Sequence, residues 1–134
     1  MFIEKFSPRF CDTDALGHIS NTAIPQWFEG ARTPVFKLFS PELDLAQWPL
    51  ILAKIEIDFL QQVFYQYDVE VKTYISRLGN SSFDVTQELW QQNQKVATGK
   101  AVMVHFCFQS QRAVVIDGEL KQRVLAHFHS AAST

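Results

Sequence analysis

Residues Asp12–Arg32 read DTDALGHISNTAIPQWFEGAR, and how this stretch is read decides the fold. Its first half holds two aspartates, a Gly-His pair and Ser-Asn-Thr, the residue types of a tight turn followed by a helix start. Asn21 or Thr22 suits the N-cap, and Pro25 falls in the first helical turn, where a missing N–H costs nothing. From Ile24 the apolar residues Trp27, Phe28, Ala31, Val35, Leu38 and Phe39 recur at helical spacing, so one stripe of a long helix is buried. Pro34 lies inside that pattern and predicts a kink or a split.

Upstream, residues 2–11 read as a strand with Phe2, Phe6 and Phe10 on one face, and with Pro8 marking an edge or a bulge. Downstream of residue 50 the period changes to two. Ile55, Ile57 and Phe59 alternate with Lys54, Glu56 and Asp58, and Tyr67, Val69, Val71, Thr73 and Ile75 continue the pattern. A turn at RLGNSS, a strand at FDVTQEL and a polar hairpin tip at QQNQ follow; VATGKAVMVHFCF, apolar on both faces, reads as a central strand. The tail DGELKQRVLAHF predicts a last helix capped by Asp117. Strand, long helix and four further strands make one α+β domain over residues 1–134, a curved antiparallel five-stranded sheet wrapped around a helix. Short links after residue 50 predict that these strands follow one another as a meander.

Composition narrows the function. The 134 residues are 47% hydrophobic and 19% charged, as in an ordinary globular domain, and a net charge of −2 argues against a general nucleic-acid binder. Cys11 and Cys107 are too few for a disulfide framework or a zinc cage, and no His/Cys cluster has metal-ligand spacing; the HFH near the C-terminus is the nearest. No apolar run approaches the ~20 residues of a membrane-spanning helix, and MFIEKFSPRF is not a signal peptide. The expectation is a cytoplasmic protein with no metal, no cofactor and no membrane or nucleic-acid partner.

With these residues in view, the chain resembles the hotdog-fold acyl-CoA thioesterases of the 4-hydroxybenzoyl-CoA thioesterase type. The resemblance rests on Asp14, Gly17, His18 and Asn21, then Glu29 and Arg32, and more softly on the strand blocks up to residue 116. It implies the hotdog fold, hydrolysis of a fatty or aromatic acyl-CoA without a cofactor, and a homodimer or homotetramer with sites at subunit interfaces. Asp14 takes the role of catalytic carboxylate, with Glu29 as its rival and His18 as an orienting or proton-handling group. Ile24 and Pro25 depart from the family, which often has an aromatic residue at the position of Ile24.

The chemistry of the stretch agrees with that assignment. A turn running into a helix N-terminus offers unpaired N–H groups and the positive end of a dipole, so the N–H groups of Gly17, His18 and Ile19 are oxyanion candidates. Asp12 reads as a turn-former and Asn21 as a cap. Glu29 lies roughly 140° from the centre of the apolar stripe, on the polar face, where Arg32 at i+3 pairs with it on the surface. In a dimer that outward face becomes the wall of a shared site. Lys72, Arg77, Lys100 and Arg112 are scattered cations and none is singled out for the CoA phosphates. Two other readings stand beside hydrolysis: a hotdog hydratase or dehydratase, against which the absence of a histidine in the long helix counts, and a non-catalytic acyl-binding domain.

Overall fold

The computed structural model describes residues 1–130. β1 (Phe2–Phe6) leads through a single 3-10 turn at Phe10–Asp12 to a helix in two pieces, α1 (Ala23–Ala31) and α2 (Thr33–Phe39). Then come β2 (Leu50–Phe59), β3 (Val69–Leu78), β4 (Ser82–Gln91), β5 (Gln94–Cys107), the two-residue β6 (Arg112–Ala113) and α3 (Gly118–Leu125). The five longer strands curl around α1 and α2 in the hotdog arrangement.

Ile24, Trp27, Phe28, Ala31 and Val35 are buried, as their spacing predicts. The helix divides at Arg32 because Pro34 has no N–H to offer the Gly30 carbonyl four residues back. The helix start differs from expectation. Thr22 occupies the N-cap position, but neither it nor Asn21 caps with its side chain. With φ −76° and ψ −18°, Thr22 is already helical, outside the extended region in which a cap hydroxyl reaches the first turn. The Ser20 carbonyl and hydroxyl instead accept the Ala23 and Thr22 N–H groups. Asp117 likewise stands before α3 without a cap bond, at an entry bent by Gly118 with φ +58°.

Two strand expectations are corrected. The first strand ends at Phe6 instead of residue 11: Pro8 breaks the ladder, the chain turns at Phe10–Asp12, and Phe10 is 78% exposed while Phe2 and Phe6 pack on the core. The meander holds only for β3, β4 and β5. The sheet order is β1-β3-β4-β5-β2, so β2 pairs with β5 and never meets β3. The link over residues 60–68 is longer than a hairpin and carries the chain from one side of the sheet to the other. The expected hairpin tip does form: Gln92 and Asn93, with φ +52° and +60°, are both left-handed, as a two-residue turn matched to the sheet twist requires.

The inner face packs in two clusters, one around Phe28, Leu89 and Val71 and one around Val35, Phe83 and Ile75. Gly99 on β5 makes room for the helix. A Cβ there would lie 2.9 Å from two ring atoms of the fully buried Phe28. Gly99→Ala therefore destabilises the fold by about 1–3 kcal/mol through overpacking, read as a fall of several degrees in the thermal midpoint.

The two sheet edges are unlike. β1 is short and charged, and past it residues 127–129 cover β3, with Ile75 exchanging hydrogen bonds with the His127 carbonyl (3.0 Å) and the His129 N–H (2.8 Å). β2 is ten residues long, and beside it Leu52, Ile55, Phe59 and Leu60 stay exposed. A long apolar edge of this kind is a template for pairing.

Candidate functional site

The 13–19 turn forms because Asp14 organises it. Asp14 donates its N–H to the His18 carbonyl at 2.8 Å, and its Oδ1 accepts the N–H groups of Leu16 (2.8 Å) and His18 (3.2 Å). The carboxylate is thus anchored through one oxygen, while Oδ2 has no hydrogen-bond partner among the described residues. Gly17 carries φ +84°, which favours glycine; a Cβ would touch nothing within 4 Å, so backbone conformation and not crowding selects it within the single subunit.

The neighbouring groups divide by role. Asp12 is buried and structural. Burial pushes its carboxyl up, but hydrogen bonds from the Arg9 side chain and backbone outweigh that and hold it below the usual carboxylate range. The Ile19 N–H donates to the Val63 carbonyl at 2.8 Å and is committed to structure. Those of Gly17 and His18 hold only long bonds, 3.4 Å to the Asp14 carbonyl and 3.2 Å to its carboxylate. The half-buried His18 ring sits edge-on to Phe64 with centroids 5.4 Å apart.

The turn is held from outside by Gln91 at the end of β4. Its buried amide accepts the Phe64 N–H at 2.9 Å and donates to the carbonyls of Phe64 (2.8 Å) and Tyr67 (2.9 Å). It thereby fixes the 60–68 link, whose Val63 and Phe64 pair with Ile19 and His18.

Farther along the helix, Glu29 is exposed, as the helical wheel predicts. It lines a 440 Å³ cleft with Gln26, Thr33, Phe36, Leu50 and Leu52. Arg32 corrects the expected surface ion pair. It is 2% exposed, makes no salt bridge to Glu29 and donates from Nη1 to Gln87 Oε1 at 3.2 Å. Gln87 in turn donates to the Phe28 carbonyl (2.8 Å) and Thr73 Oγ1 (3.1 Å), a polar bridge from sheet to helix. Burial lowers the Arg32 pKa, partly offset by the charge of Glu29. Asn21, exposed, lines a separate 360 Å³ depression with Ile24, Phe59 and Leu60. The two hollows thus lie along one side of the helix, against opposite ends of β2.

Among the described residues no group of three His, Cys, Asp or Glu side chains could hold a metal, and no helix is long and apolar enough to cross a membrane. The HFH segment is taken up in packing: His127 stacks on Phe2 and His129 meets Tyr74 edge-on. Lys72 lies over Trp90, Arg77 pairs with Asp84 and Lys100 approaches Glu56.

The chain is 30% identical over 127 residues to the uncharacterized protein YsmA of Bacillus subtilis (strain 168), covering 92% of this chain and 85% of that one. Among solved structures it is similar to a predicted thioesterase from Bacillus stearothermophilus, with 35% identity, a TM-score of 0.93 and 98% of each chain covered. It is also similar to a thioesterase from Thermus thermophilus complexed with coenzyme A and Zn, at 26% identity and a TM-score of 0.81, covering 92% of this chain and 91% of that one. The family model for the thioesterase-like superfamily matches residues 8–124, from just before the turn at Asp12 to the end of α3. The chain belongs to the thioesterase-like superfamily.

Proposed function

We propose that the protein is an acyl-CoA thioesterase that splits a fatty or aromatic acyl-CoA into free acid and CoA. The observation that carries this is the Asp14 carboxylate, pinned by Oδ1 to two backbone N–H groups and free at Oδ2, on a turn that feeds a helix N-terminus. Asp14 either attacks the thioester carbon or takes the proton of the attacking water. The loosely bonded Gly17 and His18 N–H groups turn to the oxyanion as it develops, aided by the dipole of α1. Ile19 contributes by fixing the turn. With Asp14 as base, water adds to the carbonyl and the CoA thiolate leaves as the acid forms. With Asp14 as nucleophile, the thiolate leaves as an acyl-Asp14 anhydride forms, and water then cleaves that anhydride to the acid and restores the carboxylate.

The site is shared between two subunits in this reading. Antiparallel pairing of two β2 edges about a two-fold axis sets Leu50 of one chain near Phe59 of the other. The Asn21–Phe59 depression then faces the cleft lined by Glu29 of the partner subunit. Asp14 supplies the attack, and Glu29 of the partner subunit closes the site and handles water or the leaving group. Arg32 supports that cleft from beneath. With free cysteines at Cys11 and Cys107, the protein works in the cytoplasm, without a cofactor.

Wild-type protein is expected to release CoA from a panel of butanoyl-, dodecanoyl- and benzoyl-CoA, followed by chromatography. It is expected to leave crotonyl-CoA unhydrated. Hydration of crotonyl-CoA without CoA release would establish the hydratase reading instead, and inertness toward every ester would leave an acyl-binding domain.

A further inference from the structure

A further hollow lies outside the groups discussed so far. It is a 610 Å³ groove at the far end of β5, lined among others by Leu45, Trp48, His105, Phe106, Phe108 and Val114. No Asp, Glu, Lys or Arg among the described residues lines it. Its histidine packs on Phe39, and burial lowers its pKa from the usual imidazole value, which favours the neutral ring. Leu45 and Phe108 are exposed along it.

The groove continues the Glu29 cleft. Trp48 lines both. Met103 lines the cleft while His105 and Cys107, the next residues on the same face of β5, line the groove. On β2 the register agrees, with Leu52 opposite Met103 and Leu50 opposite His105. From Met103 to Cys107 the path runs roughly 14 Å at the rise of an antiparallel strand. Trp48 stands at the junction, held edge-on by Phe36 of α2 at 5.5 Å.

We propose that this groove seats the distal part of a straight, saturated acyl chain, which passes Trp48 from a thioester held at the Glu29 cleft. The inference rests on the acyl-CoA reading and names its substrate class as medium-to-long-chain acyl-CoA. The trough is lined mostly by apolar side chains, with Gln47, Gln109 and Cys107 among its polar members; longer than an aromatic ring and continuous with the cleft, it matches a polymethylene chain. A carboxylate or phosphate would lose its hydration there without a partner. Each methylene seated is favourable by the usual burial of apolar surface.

Ala46 is exposed on the groove wall and offers a place to fill it. The experiment compares wild type, Ala46→Trp and the smaller filler Ala46→Phe, with folding and oligomeric state checked for each. kcat/KM is measured for butanoyl-, octanoyl- and dodecanoyl-CoA, and binding of the non-hydrolysable thioether dodecyl-CoA by calorimetry. Wild type is expected to prefer dodecanoyl- to butanoyl-CoA. Ala46→Trp lowers that ratio roughly thirtyfold, the equivalent of two to three buried methylenes, and weakens dodecyl-CoA in parallel; Ala46→Phe falls between. An unchanged ratio with unchanged thioether affinity overturns the proposal. So does a variant that loses its subunit association, which would make the groove a contact between copies. Ala46-dependent thioether binding by a protein that hydrolyses no ester would sink the catalytic reading and keep the groove; a wild type that does not bind the thioether removes the groove.

Discussion

Asp14→Asn is expected to lower kcat for the proposed acyl-CoA hydrolysis by roughly 10²–10⁴-fold, the range that follows when an acid–base or nucleophilic carboxylate is lost. Each factor of ten corresponds to about 1.4 kcal/mol of transition-state stabilisation. The substitution isolates chemistry from structure. An Asn carbonyl still accepts the Leu16 and His18 N–H groups that Asp14 Oδ1 accepts now, so the turn and the thermal midpoint are kept. What disappears is the charge and the basicity of the unpartnered oxygen. KM is expected to change little, because the substitution keeps the shape and hydrogen bonds of the turn. Glu29→Gln, on the exposed face of α1, is expected to have the smaller effect on kcat, and the order of the two variants ranks the two carboxylates.

Ile55→Asp is expected to dissociate the proposed dimer and abolish turnover together. Ile55 is 41% exposed on the β2 edge, beside the equally uncovered Leu52 and Phe59, and no other strand among the described residues pairs with that edge. A carboxylate buried there costs about 2 kcal/mol per copy. Two copies meet across a two-fold axis, which weakens the dimer by about a thousandfold in Kd. Light scattering after size exclusion reads the mass, and the same fractions are assayed. A monomer of full activity would place the whole site within one subunit. A dimer that persists would move the interface away from β2.

Much of this architecture is visible in local sequence, and the parts that are not share a cause. The helix stripe from Ile24 to Val35, the break at Pro34 and the hairpin at Gln92–Asn93 depend on neighbours a few residues apart, where propensity and periodicity act. The exchange of β2 from the middle of a meander to a bare edge depends on which strand pairs with β5. The alternation of Ile55, Ile57 and Phe59 looks the same in either place. At the candidate site, the turn and helix start around Gly17 are local too, whereas the choice of Asp14 over Asp12, and the weight given to His18, came from the family resemblance. Arg32 could not be placed that way: Glu29 stands at i−3, but the guanidinium goes inward to Gln87, 55 residues away. A signal did exist, since Gln87 interrupts the inward row of Val85 and Leu89 on β4, and a polar residue on a buried face demands partners. Gln91 is the same kind of case, a glutamine in a polar hairpin whose amide clamps the link behind the Asp14 turn.

The most direct test compares CoA release from dodecanoyl-CoA by wild type and by Asp14→Asn, resolved by chromatography because the exposed Cys11 would react with a thiol dye. Turnover by the wild type, with a loss of at least about a hundredfold in a folded Asp14→Asn of unchanged oligomeric state, is the expected result. Equal rates for the two proteins would contradict it and place the hydrolytic carboxylate elsewhere.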